Sequence, residues 1–422
     1  MIRESRLHRH LPATRSRDFR MLWGAGAASS VALWTLLLGN AWVVYQLSGS
    51  SLWVGVSTFA GMAPYFVAPF AGVLADKAER RSLARWSRLA SLAATVLLFA
   101  VAVAGAITVW IVVVMAFVQG LIRSVQTSAD SALIANVVPS AELGNAIALT
   151  TMSQQGSRAV GPLLAGPLLA TLGVQGAYGI AVVFSVLAFL SITQVRATSR
   201  GGVESFRHVG SSLKEALKYV RDSGPVRAVF LLVVAHCSLT MSFDAMLPGF
   251  AETELHSASS AFTLMTLGVG VGALIGTFIL SVVTGLRRGP LYLAMAIGSG
   301  IAPFLMGWSM NILPATASAI FMGSTQAMFM AMTAMLLQEV IPDAMRGRVM
   351  SLYLMSAGGI MAIANLGFSA LADRWGAPVL FWAPGAAFVA IVLASLAAPH
   401  LRRVYRTGSM PRPTPIQAEA AV

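Results

Sequence analysis

Apolar residues run through this chain in blocks, separated by short polar connections. Twelve blocks follow one another, near 21–46, 52–75, 84–105, 107–129, 142–171, 174–195, 226–250, 258–284, 289–309, 312–338, 349–371 and 378–398. Each is long enough to cross a bilayer as a helix, because about 20 residues at 1.5 Å per residue span a 30 Å hydrocarbon core. The roughly ten-residue alternation of a spanning strand is absent. The pattern predicts an all-α polytopic membrane protein with twelve transmembrane helices. One connection, about 196–225, is longer and reads differently. Within "SSLKEALKYVRDSG", Ser212 and Glu215 fit a capping box, and Leu213, Ala216, Leu217 and Val220 share a helical face. A short helix lying on the membrane surface is expected there.

Composition agrees with the blocks. Of 422 residues, 57% are hydrophobic and only 11% charged, with a mean hydropathy of +0.75. The single cysteine, Cys237, excludes a disulfide framework. The N-terminal arm is basic and too long and polar for a signal peptide, so the first span is expected to be retained. The net charge of +13 is a topology signal. With an even number of spans both termini share a side. If that side is the cytoplasm, 26 of the 29 Lys and Arg fall on cytoplasmic segments, among them Arg85 and Arg88 in the connection after the second span. Arg123 and Arg158 fall inside spans, and Arg374 falls outside. Basic residues dispersed over short connections speak against nucleic-acid binding.

The chain also repeats itself. "VPSAELGNAIALTTMSQQGSRAVGPLLAGPLLATLG" from Val138 and "IPDAMRGRVMSLYLMSAGGIMAIANLGFSALADRWG" from Ile341 lie 203 residues apart. At that offset Pro139 meets Pro342, Gly144 meets Gly347, Gly156 meets Gly359 and Gly173 meets Gly376. Two parallel six-helix halves follow, one of the known plans of secondary transporters. The expected organisation is a basic arm (1–20), an N-terminal half (21–195), a linker with a surface helix (196–225), a C-terminal half (226–398) and a C-terminal tail (399–422).

The stretch "GVLADKAERR", Gly72 to Arg81, packs five charges into ten positions between two spans. Its Gly72, Asp76, Arg80 and Arg81 resemble the loop motif of the major facilitator superfamily, at the place where that family has it. "SRAVGPLLAG", with Arg158, Gly161, Pro162 and Gly166, is similar to the fifth-span motif of the drug–proton antiporters. "IPDAMRGRVMS" before the eleventh span resembles the branch of enterobactin exporters and macrolide efflux proteins. The resemblance implies the major facilitator fold, alternating access, and an inner-membrane exporter. It also implies that Asp76 latches onto the N-terminus of the eleventh span, since a helix N-terminus attracts a carboxylate; simple turn capping is the competing account. The chain lacks the early span-one acid of that branch, reading "SSVALWTLLLGN" instead. In the fifth span, tight helix packing and a sealed outer half are two descriptions of the same contacts, with Pro162 expected to kink the helix.

Ionisable residues inside spans carry the rest of the expectation, because each is costly unless paired or wetted. Arg158 reads as an architectural pin to carbonyls or a carboxylate, or as a substrate contact. Arg123, Gln126 and Asp130 share a face of span four, either as a polar stripe on a wet vestibule or as a gating pair. His236, Thr240 and Asp244 follow at i, i+4 and i+8 in span seven, as packing residues or as a proton relay. Glu339 beside Arg346 and Arg348 reads as a surface ion pair. Met322, Met328, Met330, Met332 and Met335 suit an adaptable apolar cavity. Arg123 and Asp244 each lie about 24–25 Å from the cytoplasmic side. Opposite charges at one depth invite pairing, with Asp244 taking a proton when the pair separates; the alternative is that Asp244 faces the outer mouth.

No Walker loop, metal cluster or nucleophile constellation is visible in the sequence. The expectation is therefore a monomeric transporter rather than an enzyme, with no cofactor. Its partners would be a small lipophilic or amphipathic molecule, a proton as coupling ion and the lipid bilayer. Metabolite uptake, lipid flipping and a non-transporting scaffold remain as alternatives.

Overall fold

The computed structural model describes residues 12–64, 79–197, 207–282 and 287–410. Gly72 and Asp76 lie outside the described residues. Fifteen α-helices are described, and no strand among the described residues. They are α1 Arg17–Ser48, α2 Ser51–Met62, α3 Arg80–Val103, α4 Val109–Val137, α5 Leu143–Leu172, α6 Val174–Thr193, α7 Arg207–Asp222, α8 Gly224–Leu239, α9 Leu247–Thr253, α10 Ala258–Val282, α11 Arg288–Gly307, α12 Ile312–Val340, α13 Asp343–Trp375, α14 Ala377–Ser395 and α15 Pro399–Thr407.

Ten segments among the described residues are long and apolar enough to cross a membrane, with α8 and α9 together forming one of them, Gly224–Thr253. Their outward faces keep large apolar side chains uncovered, Leu97, Phe278 and Leu354 among them. A chain in water would bury such surface; lipid solvates it. Two more helices stand where spans two and five are expected. α2 is described over only 12 residues. α5 runs for 30 residues, but its stretch up to Arg158 carries Thr150, Thr151, Gln154, Gln155 and Arg158 itself.

The chain forms two compact units. The first holds Met1–Ser48 and Ala60–Phe206, the second Gly49–Phe59 and Arg207–Val422. The start of α2 thus clusters with the second unit. In the first unit α1 packs on α4, α5 and α6, and α3 packs on α4 and α6. In the second, α8 packs on α12, α13 and α14, and α11 packs on α12 and α14. These are the same pairings with each helix replaced by its repeat mate. Local geometry repeats as well. Pro139 (φ −59°, ψ 149°) precedes the short turn that opens α5, and Pro342 (φ −55°, ψ 147°) precedes α13. Gly173 (φ 66°) and Gly376 (φ 82°) break the chain after α5 and α13 with left-handed backbone that other residues resist.

Close approach is clearest on α10. Gly268, Gly272 and Gly276 line one face, and a Cβ on Gly272 would strike the Ile320 carbonyl of α12. Small residues at a spacing of four let two backbones meet, which is how helices associate where water supplies no driving force.

Two expectations change. α7 forms as expected, but its buried residues are Ala216, Tyr219 and Val220, while Leu213 and Leu217 are exposed. The capping box does not form: the helix already begins at Arg207, so Ser212 lies inside it, and Glu215 pairs with Arg348 of α13. Arg88, counted with the polar connection although it falls within the third apolar block, is buried inside α3, where its charge is met by Asp130 of α4.

Candidate functional site

The first unit contains a polar recess of ≈ 70 Å³. Its lining includes Trp23 and Ser30 of α1, Arg123, Gln126 and Asp130 of α4, and Gln154 of α5. Arg123 and Gln126 therefore do share a lined face with Asp130, as their i, i+3, i+7 spacing requires. The Trp23 indole N–H is anchored on the Leu149 carbonyl of α5 (3.0 Å), leaving its ring as an apolar wall. Asp130 is not paired along its own helix. It accepts two hydrogen bonds from the Arg88 guanidinium, at 2.9 and 2.8 Å. Arg88 is 1% exposed and Asp130 20%, so a bidentate pair with one buried partner closes one wall of the recess. Arg88 is the residue that sequence reasoning missed; its signal was a span-four acid that needed a cation.

The visible part of the loop motif acts on helix ends. Arg80 donates to Asn136 at the end of α4 (3.0 Å). Arg81 donates to the Arg196 carbonyl (3.3 Å) and Arg85 to the Thr193 carbonyl (2.6 Å), beyond and at the end of α6. Cations placed on the last carbonyls of a helix complement its dipole.

In the fifth span Gly161 is needed for contact. A Cβ there would lie 2.7 Å from the Trp34 Cβ of α1. Arg158 sits over the Trp34 ring, 5.1 Å from its centroid, so a cation–π contact joins α5 to α1. Pro162 and Gly166 are buried, and α5 stays helical through both Pro162 and Pro167.

Span seven is broken. α8 ends at Leu239 and a separate turn begins at Asp244. The i, i+4, i+8 face of His236, Thr240 and Asp244 therefore does not exist as a continuous helix surface. Pro248 stands in the first turn of α9, where a missing N–H costs nothing, so it suits the restart of the helix after the break. Thr240 and Ser242 hydroxyls then take the local carbonyls of His236 and Cys237. The freed backbone finds partners on two other helices. Gln326 of α12 donates to the Thr240 carbonyl (2.6 Å), and Asn365 of α13 accepts from the Ala245 N–H (3.4 Å). Ser242 reaches the Met361 carbonyl at 3.1 Å. Interrupted helices with satisfied backbone are the usual setting of transporter sites.

His236 is fully buried, with its ring 4.4 Å from that of Phe329 and 5.2 Å from that of Phe388. Neither ring nitrogen has a hydrogen-bond partner among the described residues. Asp244 is half-buried in the second unit and Arg123 half-buried in the first. Glu339 pairs with Arg288 at 2.9 Å rather than with Arg346 or Arg348. Most of the methionines singled out pack inside the second unit: Met322, Met328 and Met332 are buried, and Met330 packs against its core.

The starting end of α2 meets a carboxylate from α13. Asp373 accepts from the Ser51 N–H (2.7 Å), the Leu52 N–H (3.2 Å) and the Ser50 hydroxyl. Gly55 sits where a Cβ would strike Ser369 of α13. This is an N-terminal cap supplied from a distant helix.

Two units with matching helix pairings, a buried arginine–carboxylate pair and an interrupted seventh span fit the fold of a major facilitator transporter. The chain belongs to the transmembrane secretion effector family of that superfamily, whose family profile it matches over residues 10–416. It is 25% identical over 391 residues to macrolide efflux protein A of Streptococcus pyogenes, covering 89% of this chain and 94% of that one. It is 21% identical to the staphyloferrin A transporter of Staphylococcus aureus (85% and 91% covered). It is 24% identical to the enterobactin exporter EntS of Citrobacter koseri (79% and 80% covered). Among solved structures it resembles a POT family transporter (TM-score 0.71, 12% identity, 91% and 96% covered) and a D-xylose–proton symporter (TM-score 0.65, 17% identity, 90% and 95% covered). The chain is thus an integral membrane protein of a transporter family.

Proposed function

We propose that this protein exports a small lipophilic or amphipathic compound across the bacterial plasma membrane by alternating access, driven by protons, with both termini in the cytoplasm. The observation that carries the reading is the recess in the first unit, which sets an aromatic wall at Trp23 beside the ionisable Arg123 and Asp130. Such a lining accepts an apolar body with one polar or charged group. The relatives named as efflux proteins and siderophore exporters support the outward direction. Transport into inverted membrane vesicles across a compound panel, with and without an inside-acid gradient, tests it. Gradient-driven accumulation of one compound is the expected result. Gradient-independent movement of lipid would replace the reading with a flippase, and accumulation only in right-side-out vesicles with an uptake permease.

Coupling is assigned to Arg123 and Asp244. Each is an ionisable side chain inside a span, and exchange of a proton at the Asp244 carboxylate accompanies substrate movement. Asp244→Asn is expected to bind substrate normally yet lose uphill accumulation, measured as binding and accumulation on the same vesicles. Uphill transport by Asp244→Asn with an unchanged pH profile would end this assignment. Asp76 acts as the cytoplasmic latch of the closed state. The cap of Asp373 on α2 is a described contact of the same chemical kind, a carboxylate on a helix N-terminus.

A further inference from the structure

Charge is distributed unequally along the second unit. One end gathers the start of α8, the starts of α11 and α13, the end of α12, and the two short helices α7 and α15. Among the described side chains it carries eleven Lys and Arg, all exposed, against Glu215, Asp222 and Glu339; Asp343 opens α13 there as well. Two of the cations are taken by Glu339 and Glu215, through Arg288 and Arg348. The other end of the unit bears Glu252, Glu254, Asp373 and a single Arg374.

α15 is held rigidly. Its Leu401, Val404 and Tyr405 are buried in the core of the unit. Tyr405 stacks on Tyr292 of α11 with ring centroids 6.0 Å apart, and its hydroxyl meets that of Ser395 at 2.8 Å. Gly408 (φ 70°) ends the helix against Gly289 of α11, 2.7 Å from a Cβ to its nitrogen. The opposite face presents Arg402, Arg403 and Arg406 outward, with no ion pair among the described residues. α7 is docked the same way, through Ala216, Tyr219 and Val220. Its outer face alternates Leu213 (39% exposed) and Leu217 (58%) with Lys214 and Lys218. Leucines left uncovered beside lysines, at the level where membrane spans begin, are the signature of a helix seated in the headgroup layer. A soluble polyanion would explain the cations but not the leucines.

We propose that α7 and α15 form a binding surface for anionic phospholipid headgroups, with the leucines of α7 entering the acyl boundary and the arginines of α15 holding phosphate. This does not depend on what the protein transports. Each basic residue near an anionic surface strengthens attachment several-fold, so losing three weakens it roughly a hundredfold. The test uses the full chain in detergent, titrated with phosphatidylglycerol, with phosphatidylcholine, and with inorganic phosphate. Bound lipid is counted by native mass spectrometry and stability followed by thermal melting. Wild-type protein is expected to bind and be stabilised by phosphatidylglycerol alone. R402Q/R403Q/R406Q and, separately, K214Q/K218Q are expected to lose most of that binding, while R402K/R403K/R406K keeps it and shows that the fold survives. Equal binding of phosphatidylcholine, equal binding by the Gln variants, or full saturation by inorganic phosphate would each overturn the proposal.

Discussion

At the scale of single residues, the buried charges decide most. Arg88 and Asp130 form a bidentate pair in which the arginine is out of solvent. Removing one partner strands the other, which costs about 3 kcal/mol or more for a fully buried pair. Asp130→Asn strands the buried Arg88 and is expected to be the more costly change, whereas Arg88→Gln leaves only the partly exposed Asp130 and a wetter, milder defect. Thermal melting in detergent should show both singles melting below wild type and the double Arg88→Gln/Asp130→Asn above the worse single. Melting of the double at the sum of the singles would show that the pair carries no coupling. The acid was legible in the sequence because an apolar span makes any carboxylate conspicuous. Its partner was not, because span boundaries are soft and Arg88 lies one turn inside a boundary that the apolar pattern left at residue 84. Arg158 shows the same limit. Its presence in the span is visible in sequence; that it rests on the Trp34 ring depends on how α1 and α5 pack.

Among elements, the broken seventh span is the informative one. Sequence patterning treats 226–250 as a single helix, since the run is apolar apart from Arg227, His236 and Asp244 and a few small polar residues. Pro248 lies inside that run, but proline is common in membrane helices and does not by itself fix where the helix opens. What fixes it is the presence of Gln326 and Asn365 on neighbouring helices to take the released backbone groups. Gln326→Leu is therefore expected to leave the Thr240 carbonyl unsatisfied at a cost of about 1–3 kcal/mol. Hydrogen exchange across 238–247 should rise in Gln326→Leu and in Asn365→Leu, while that of α10 and α12 stays unchanged. Unaltered exchange in both variants would mean that water, not these side chains, satisfies the break. The surface helix α7 was legible as an element from its own amphipathic pattern. Its buried face was not, because Tyr219 found a core to enter and Leu213 and Leu217 face outward.

Over the whole molecule, the all-α membrane plan was legible in the sequence, and ten segments among the described residues are long and apolar enough to cross a bilayer. The 203-residue repeat places Pro139 and Pro342 in the same backbone conformation and Gly173 and Gly376 in the same left-handed turn. The helix pairings of one unit recur in the other. Apolar length and punctuation are strong signals because a bilayer tolerates few alternatives to a helix. The finer site is less legible, since which buried polar groups meet is a property of packing that single-sequence periodicity does not contain. The central claim is that proton movement is tied to substrate movement. It is tested most directly by adding an exported compound outside proteoliposomes loaded with a pH dye and held acid inside. The account predicts that wild-type protein makes the lumen more alkaline as substrate enters, and that Asp244→Asn abolishes this while still binding the compound. Substrate entry with no change in luminal pH would contradict it.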